Sequence, residues 1–155
     1  HYDRKIDLIY EEINDRWKVG VVFNDTNEGS GIQVSFVNGV WTYAGGTHVD
    51  YIFGQICKKI SDHIKQKNKM NVNSQQIKEY IDIFIDSVIE DPKFSSQTKG
   101  ELTSKVVDFG STCEISDAFM AKLYKTGIWN FTIGISFFTL IIFMFSSIFL
   151  NPNLE

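Results

Sequence analysis

A long amphipathic segment constrains the fold of this chain more than any other feature. Between positions 47 and 67, apolar side chains recur every three or four residues: Ile52, Phe53, Ile56, Cys57, Ile60 and Ile64. Residues at this spacing share one face of a helix, so the pattern predicts a long helix with a single apolar stripe. Such a stripe is stable only when a second layer of structure covers it, and the chain must therefore form a packed domain.

Local chemistry predicts where this helix begins. Thr47 stands at the position of an N-cap, and Asp50 three residues later would complete a shortened capping box. Gly45 and Gly46 would let the chain turn sharply into the helix. Free backbone N–H groups at a helix start can also hold an anion, but we interpret these residues as a cap, with the His48 ring packed locally.

Strand patterns lie on both sides of the helix. Residues 16–23 are rich in β-branched and aromatic side chains, and residues 32–37 alternate between apolar and polar. Because the polar run at 24–31 predicts a turn, we expect these two strands to pair as an antiparallel hairpin. Residues 77–89 fit both a helix and a strand, and their many Ile, Val and aromatic side chains favour a strand that ends before Pro92.

The remaining segments complete an α+β pattern. Residues 95–100 are expected to form an exposed polar loop, and residues 106–113 a short strand or extended piece that ends in a turn. Ser116 is the predicted N-cap of a last helix, which begins at Asp117. A long helix between strands places the chain in the α+β class, with a sheet backed by helices.

Composition excludes several functional classes. With 15 basic and 19 acidic side chains, the net charge is −4, so a role in binding nucleic acid would need a local basic patch. Cys57 and Cys113 are too few for a disulfide scaffold and lack zinc-ligand spacing, and we expect reduced thiols in an intracellular protein. Three histidines, one of them at position 1, leave little for a catalytic triad, and no phosphate-binding glycine loop is legible.

Two polar clusters remain as candidates for binding. In the loop at 95–100, Lys99 is flanked by the amide of Gln97 and by small hydroxyls, a mixture suited to holding a phosphate. From the residues alone, a solvated surface loop is the simpler interpretation. A second cluster, opposed locally only by Asp62, comprises Lys58, Lys59, Lys65, Lys67 and Lys69. Lysines at a helix C-terminus suit the helix dipole, and contact with DNA phosphates is the alternative.

Five segments together resemble one protein family. They are residues 10–17, 33–38, 45–49, 91–99 and 108–114, in this order along the chain. These segments resemble the transducer domain of the ATP-dependent type IIA DNA topoisomerases of the eukaryotic kind, and the resemblance covers about residues 2–127. Mismatch-repair and chaperone relatives with a similar ATPase-coupled domain are not expected to share all five.

The resemblance implies a fold and a set of sites. It implies a sheet backed by helices with a left-handed βαβ crossover, and a strand at 77–89. It also implies that Lys99 contacts the γ-phosphate of ATP held by a neighbouring ATPase domain, with Gln97 in support. A lysine-rich loop that faces DNA in the family matches this chain at Lys65, Lys67 and Lys69.

The same resemblance implies the setting in which the segment works. The complete enzyme would be a nuclear homodimer that uses ATP and Mg²⁺ to pass one DNA duplex through another. This chain opens on His1 without Met, and it shows neither an ATP-binding fold nor a DNA-cleaving region. We therefore expect it to be a piece of that enzyme which is inactive alone.

The C-terminal part departs from the family. Glu155 is the only charged residue after Thr126, and residues 127–150 form a charge-free stretch of 24 residues. That length and apolarity are typical of a membrane-spanning helix. A membrane anchor and a buried core helix are possible interpretations, but we favour a segment that is not part of the enzyme's coding sequence. The predicted division is therefore a transducer domain at 1–126, an apolar segment at 127–150 and a tail at 151–155.

A rival function follows from the apolar segment. If residues 127–150 span a bilayer, the chain would be a small membrane-anchored α+β binding protein with no ATP-linked activity. The lysines that precede the span would then keep the N-terminal domain on the cytosolic side. The leading expectation remains a nuclear topoisomerase segment.

Overall fold

The fold is an α+β domain, and its described residues form seven strands and three α-helices. In the computed structural model of the protein, the structure describes residues 7–24 and 31–128. The strands are β1 (Leu8–Asn14), β2 (Trp17–Phe23), β3 (Gln33–Val37), β4 (Val40–Trp41), β5 (Gly45–Gly46), β6 (Ile81–Ser87) and β7 (Glu101–Leu102). The helices are α1 (Thr47–Asn68), α2 (Ser74–Lys78) and α3 (Asp117–Lys125), with one 3₁₀ turn at Val106–Asp108.

The main sheet has five strands in the order β1-β2-β6-β3-β4. Strand β6 pairs antiparallel with β2 and parallel with β3, so it lies between them. The predicted hairpin of β2 with β3 is therefore wrong, although both strands are present. The physical reason is burial: Ile81, Ile83 and Ile85 make β6 strongly apolar on one face, and the sheet centre is where such a strand is best covered.

The main sheet contains two tight hairpins, and neither is the predicted one. Strands β1 and β2 pair antiparallel across a two-residue turn, with a register shift between Glu12 and Asn14. Strands β3 and β4 are joined by Asn38 and Gly39, whose φ angles are 51° and 76°. Positive φ at both central residues is the geometry that an Asn-Gly turn adopts most readily.

The core lies between α1 and one face of the main sheet. All six apolar residues predicted to form the helix stripe are buried, which confirms the helix and its orientation. The sheet opposes them with alternate residues of β2 and β6, including Trp17, Val19 and Val21, each fully buried. Full burial of one such side chain contributes roughly 1.5–3 kcal/mol, so this layer dominates the stability of the domain.

The start of α1 differs from the prediction. Gly46, not Thr47, occupies the N-cap position, and no side chain caps the helix. The Thr47 hydroxyl instead donates a hydrogen bond of 2.7 Å to the Ser104 carbonyl. The capping box with Asp50 is also wrong, since that carboxylate lies 3.7 Å from the Lys78 ammonium. The Thr47 hydroxyl is therefore bound to the Leu102 carbonyl and to the Ser104 carbonyl, in the chain that follows β7.

Three other local predictions have clear outcomes. Ser116 is the N-cap of α3, as expected, because its hydroxyl accepts the Phe119 N–H at 2.9 Å. The segment at 77–89 contains the favoured strand as β6, while Ile77 belongs to α2, which ends at Lys78. The strand or extended piece expected at 106–113 is wrong, because its first residues form a 3₁₀ turn in which Val107 stays exposed.

The connection from β3 to β6 passes through α1 and returns to the same sheet in parallel. The left-handed βαβ crossover that the resemblance implies stays a prediction. None of the helices within the described residues is long and apolar enough to cross a membrane. The apolar C-terminal helix expected at 127–150 lies outside the described residues from position 129 onward.

Candidate functional site

The loop at 95–100 closes a short antiparallel ladder at the edge of the domain. Its base is held by a bridge between Phe94 and Leu102, and by a 2.8 Å hydrogen bond from the Thr103 N–H to the Lys93 carbonyl. One rung further out, the Ser95 N–H donates to the Glu101 carbonyl at 3.1 Å. The ladder fixes both ends of the loop and leaves its tip to project.

The tip is a tight turn that presents Lys99. The Lys99 N–H donates to the Ser96 carbonyl at 3.1 Å, and the hydroxyls of Ser96 and Thr98 lie 2.7 Å apart. Lys99 itself has a φ of 56°, in the left-handed region that costs a non-glycine residue about 1 kcal/mol or more. Strained backbone of this kind persists only where the surrounding structure holds it, and it is common at functional sites.

The side chains of Gln97 and Lys99 are exposed, as the sequence predicted. The Lys99 ammonium lies 5.9 Å from the centre of the Phe94 ring, a cation–π distance that contributes about 0.5–1 kcal/mol at an exposed position. The ammonium therefore rests against the base of its own loop and not within the main sheet. It remains available to an anion that approaches from outside the domain.

The loop is connected to the start of α1. Strand β7, which leaves the loop, pairs in parallel with β5, and β5 runs directly into α1. At the point of contact Gly46 has a φ of 126°, and a Cβ there would lie 2.5 Å from the Leu102 nitrogen. Gly46 thus allows the backbones of β5 and β7 to approach each other closely. The helix start is covered by protein, which disfavours the anion-site interpretation of residues 45–48.

The predicted lysine cluster is only partly assembled. Lys65, Lys67 and Lys69 lie together and exposed at the C-terminal end of α1. Lys69 ends the helix with a φ of 55°, and its N–H donates to the Lys65 carbonyl at 3.0 Å. Lys59 is separate from this group, because its ammonium binds the Asp117 carboxylate at 2.6 Å and lowers the pKa of that acid.

The two described histidines occupy structural positions. His48 is fully buried, its Nε2 lies 3.2 Å from the Thr42 hydroxyl, and burial lowers its pKa to about 4. His63 stacks on Tyr124 with ring centres 4.1 Å apart, and its pKa is lowered by burial and by Lys67. The local packing predicted for His48 is confirmed.

The cysteines offer no reactive thiol at neutral pH. Both Cys57 and Cys113 are free and buried. Burial raises the pKa of Cys57 to about 11 and that of Cys113 to about 12. Within residues 7–24 and 31–128, no group of three or more His, Cys, Asp or Glu side chains is placed to hold a metal ion.

Comparison with known proteins decides the family. The pattern of the family described as DNA gyrase B matches residues 2–131. The chain belongs to the DNA gyrase B family. The five segments that resemble eukaryotic type IIA topoisomerases all lie within this match.

Individual relatives within the DNA gyrase B family are eukaryotic enzymes. DNA topoisomerase 2 of Saccharomyces cerevisiae is 50% identical over 121 residues, which cover 78% of this chain and 8% of that protein. The Arabidopsis thaliana DNA topoisomerase 2 is 44% identical, and the DNA topoisomerase 2-alpha of Sus scrofa is 41% identical, with the same 8% share of each relative. This chain therefore spans less than a tenth of the length of these relatives.

Solved structures of family members share the fold. The ATPase region of Saccharomyces cerevisiae topoisomerase II superposes with a TM-score of 0.76 at 46% identity, covering 83% of this chain and 32% of that one. The ATPase and transducer domains of DNA topoisomerase II from Balamuthia mandrillaris give a TM-score of 0.80 at 32% identity, covering 86% and 34%. The chain thus corresponds to about a third of the ATPase region.

The sequence predicted Gln97 and Lys99 as site residues, but it did not indicate the aromatic residues around their loop. Phe94, whose ring lies under the Lys99 ammonium, belongs to the segment at 91–99 that resembles the family. Tyr43, whose hydroxyl lies 3.4 Å from that of Thr98, is 55 residues away in sequence. The parallel pairing of β5 with β7 brings Tyr43 close to Thr98, and no local sequence pattern indicates that pairing.

Proposed function

We propose that this chain is the transducer segment, at about residues 1–126, of an ATP-dependent type II DNA topoisomerase. Family membership and the match to one third of a solved ATPase region support this assignment. One solved relative is described as containing both ATPase and transducer domains, which leaves room for a separate nucleotide-binding unit beside this one. In such an enzyme the segment would couple ATP binding and hydrolysis to movement of a DNA gate.

The observation that carries the proposal is the projecting Lys99 on a loop whose base is fixed. An ammonium on a short protruding turn can reach the terminal phosphate of a nucleotide bound by a neighbouring domain. There it would stabilise the charge that develops on the γ-phosphoryl group during transfer to water. The exposed amide of Gln97, two residues away, would donate a supporting hydrogen bond.

The fold offers a path from this contact to DNA. The loop continues into β7, β7 pairs with β5, and β5 leads into α1. Helix α1 has 22 residues and so spans about 33 Å, with the candidate DNA contacts Lys65, Lys67 and Lys69 at its far end. Loss of the γ-phosphate would release the loop and let this rigid helix move with the domain.

The proposal places the ATP and the Mg²⁺ of the complete enzyme in the adjacent ATPase domain. ATP, a duplex DNA substrate, homodimerisation and a nuclear location belong to the same proposal. The segment alone would bind neither cofactor and would hydrolyse no ATP.

A chimaera tests the role of Lys99. Residues 2–127 of this chain would replace the matching segment of Saccharomyces cerevisiae DNA topoisomerase 2, to which they are about half identical. We expect Lys99→Ala to lower kcat for ATP hydrolysis by about 10- to 100-fold, because one preorganised charge contact is lost. Lys99→Arg should retain part of the activity, and DNA binding should stay within about 2-fold. Unchanged kcat in Lys99→Ala would contradict the proposal.

A further inference from the structure

The ring of Tyr43 packs against the residue that closes the loop. Gly100 is buried there, and a Cβ added to it would lie 2.5 Å from Tyr43 Cε1 and 2.6 Å from the Tyr43 hydroxyl oxygen. The same hydroxyl lies 3.4 Å from the Thr98 hydroxyl. The aromatic side chain thus touches the loop on both sides of Lys99.

The absence of a side chain at position 100 is explained by this ring and not by the backbone. Gly100 is not among the residues with positive φ, so any residue could adopt its conformation. Its carbonyl accepts a 2.9 Å hydrogen bond from the Ala44 N–H, immediately after Tyr43. The two segments are therefore pressed together by one backbone hydrogen bond and one ring, with no space for a methyl group between them.

A second aromatic residue also contacts the ring. Trp41 meets Tyr43 edge to face, with ring centres 5.9 Å apart and an interplanar angle of 67°. Such aromatic pairs contribute about 0.5–1.5 kcal/mol beyond their burial. Although Tyr43 is 56% exposed, its side chain contacts Trp41, Thr98 and Gly100.

We propose that Tyr43 is a positioning residue for Lys99, a role that rests on the function proposed above. A polar loop with two hydroxyls and an amide has little packing of its own, and ordering each residue costs about 1–2 kcal/mol. Contact with Tyr43 orders the loop before the nucleotide arrives. The ammonium then contacts the γ-phosphate without the free-energy cost of ordering the loop. Removing Tyr43 should therefore change kcat more than KM.

The chimaera described above allows a matched test. Tyr43→Ala should lower kcat for ATP hydrolysis by about 5- to 10-fold with less than about 2-fold change in KM. Tyr43→Phe should retain activity within about 2-fold, because a 3.4 Å exposed hydrogen bond contributes little. Tyr10→Ala is the control: it removes the same ring from a 49% exposed position on the β1 strand, remote from the loop.

A second arm follows the loop without depending on activity. In Tyr43→Ala, tryptic cleavage after Lys99, mapped by mass spectrometry in the absence of ATP, should become about 10-fold faster. Tyr10→Ala should leave that rate unchanged. Equal cleavage rates in Tyr43→Ala and in the unmodified chimaera would overturn the proposal.

A double-mutant comparison of Tyr43 and Gly100 tests the contact between them most strictly. Gly100→Ala should lower kcat by about 10-fold in the unmodified chimaera, because the methyl group collides with the ring. In the Tyr43→Ala background the same change should cost less than about 2-fold, since the obstacle is gone. An equal cost in both backgrounds would overturn the proposal.

The two proposals fail in different ways. If Lys99→Ala lowers kcat but Tyr43→Ala does not, the role of Tyr43 is wrong while the proposed function stands. If Lys99→Ala leaves kcat unchanged, the proposed function is wrong, and the role given to Tyr43 is wrong with it.

Discussion

The close approach of two backbones determines the residue at position 46. Gly46 has a φ of 126°, and its missing Cβ would lie 2.5 Å from the Leu102 nitrogen and 2.9 Å from its carbonyl carbon. Only glycine combines this conformation with this contact. The pairing of β5 with β7, and with it the link from the loop to α1, depends on that choice.

We predict that Gly46→Ala lowers the free energy of unfolding by about 3 kcal/mol or more, through backbone strain and overlap together. Gly39→Ala is the matched control, because Gly39 has a φ of 76° but no atom within 4 Å of its missing Cβ. That control should lose only the conformational term of about 1–2 kcal/mol. Urea unfolding of the full chain measures both, and equal losses would contradict the overlap at Leu102.

His48 sits in an uncharged, hydrogen-bonded environment. The Thr42 hydroxyl donates to the Ser35 carbonyl at 2.9 Å, so it is free to accept from His48 Nε2 at 3.2 Å. That arrangement places the proton of the neutral ring on Nε2 and leaves Nδ1 unprotonated. Nδ1 has no hydrogen-bond partner within the part of the chain that the structure describes. A second proton on this ring would therefore be a buried charge without compensation.

The stability of the domain should consequently fall in mild acid. Burial lowers the pKa of His48 from 6.5 to about 4, so the unfolded chain takes up a proton between these values while the folded chain does not. The contribution of neutral His48 to the free energy of unfolding is complete above pH 6.5. The free energy of unfolding should decrease by roughly 2–3 kcal/mol as the pH falls to about 4.

His48→Gln provides the control for this pH dependence. Its amide can donate to Thr42 as Nε2 does, but it cannot titrate. Denaturant unfolding at pH 7 and pH 4 should show a smaller decrease in the variant, by about 2–3 kcal/mol. Carboxylates that titrate in the same range affect both proteins alike, so identical pH profiles would refute the assigned cause.

At the scale of elements, α1 was predictable because its signal is local. Six apolar residues at helical spacing defined both its extent and its buried face. Its N-cap was not predictable, because the carbonyls that accept from the Thr47 hydroxyl belong to Leu102 and Ser104, more than 50 residues later. The same reason explains β6, whose position between β2 and β3 depends on pairing partners that no local pattern identifies.

The C-terminal end of α1 carries the prediction for DNA. In the chimaera, changing Lys67 and Lys69 together to Glu should weaken DNA-stimulated ATP hydrolysis, most strongly at low salt. The logarithm of DNA affinity should depend less steeply on the logarithm of salt concentration, by a slope of about 2 for two lost phosphate contacts.

The last turn of α3 offers a control with the same charge change. Lys122 and Lys125 are exposed there, and changing both to Glu alters net charge equally. This control should leave the salt dependence of DNA affinity close to that of the unmodified chimaera. If both pairs have the same effect, net charge explains the result and the assignment of Lys67 and Lys69 to DNA is wrong.

At the scale of the whole molecule, the candidate site was predicted more fully than the topology that supports it. Gln97 and Lys99 were identified by residue type and by resemblance, and the structure leaves both exposed on one loop. The connection of that loop to α1 through β5 and β7 was not predicted. Strands of two residues have almost no sequence signature, and their pairing joins positions 45 and 101.

The proposed function assigns two ligands to the two ends of one helix. The proposed nucleotide contact at Lys99 would lie near the start of α1, and the proposed DNA contact at its end, about 33 Å away by helix geometry. In the proposed function, a change at one ligand would reach the other through this helix.

A crystal structure of the chimaera with a non-hydrolysable ATP analogue tests the proposed nucleotide contact. We predict that Lys99 Nζ leaves the Phe94 ring and lies within about 3 Å of a γ-phosphate oxygen, the distance of a charge-assisted hydrogen bond. A bound nucleotide whose γ-phosphate is met by other residues, with the Lys99 ammonium still over Phe94, would contradict it.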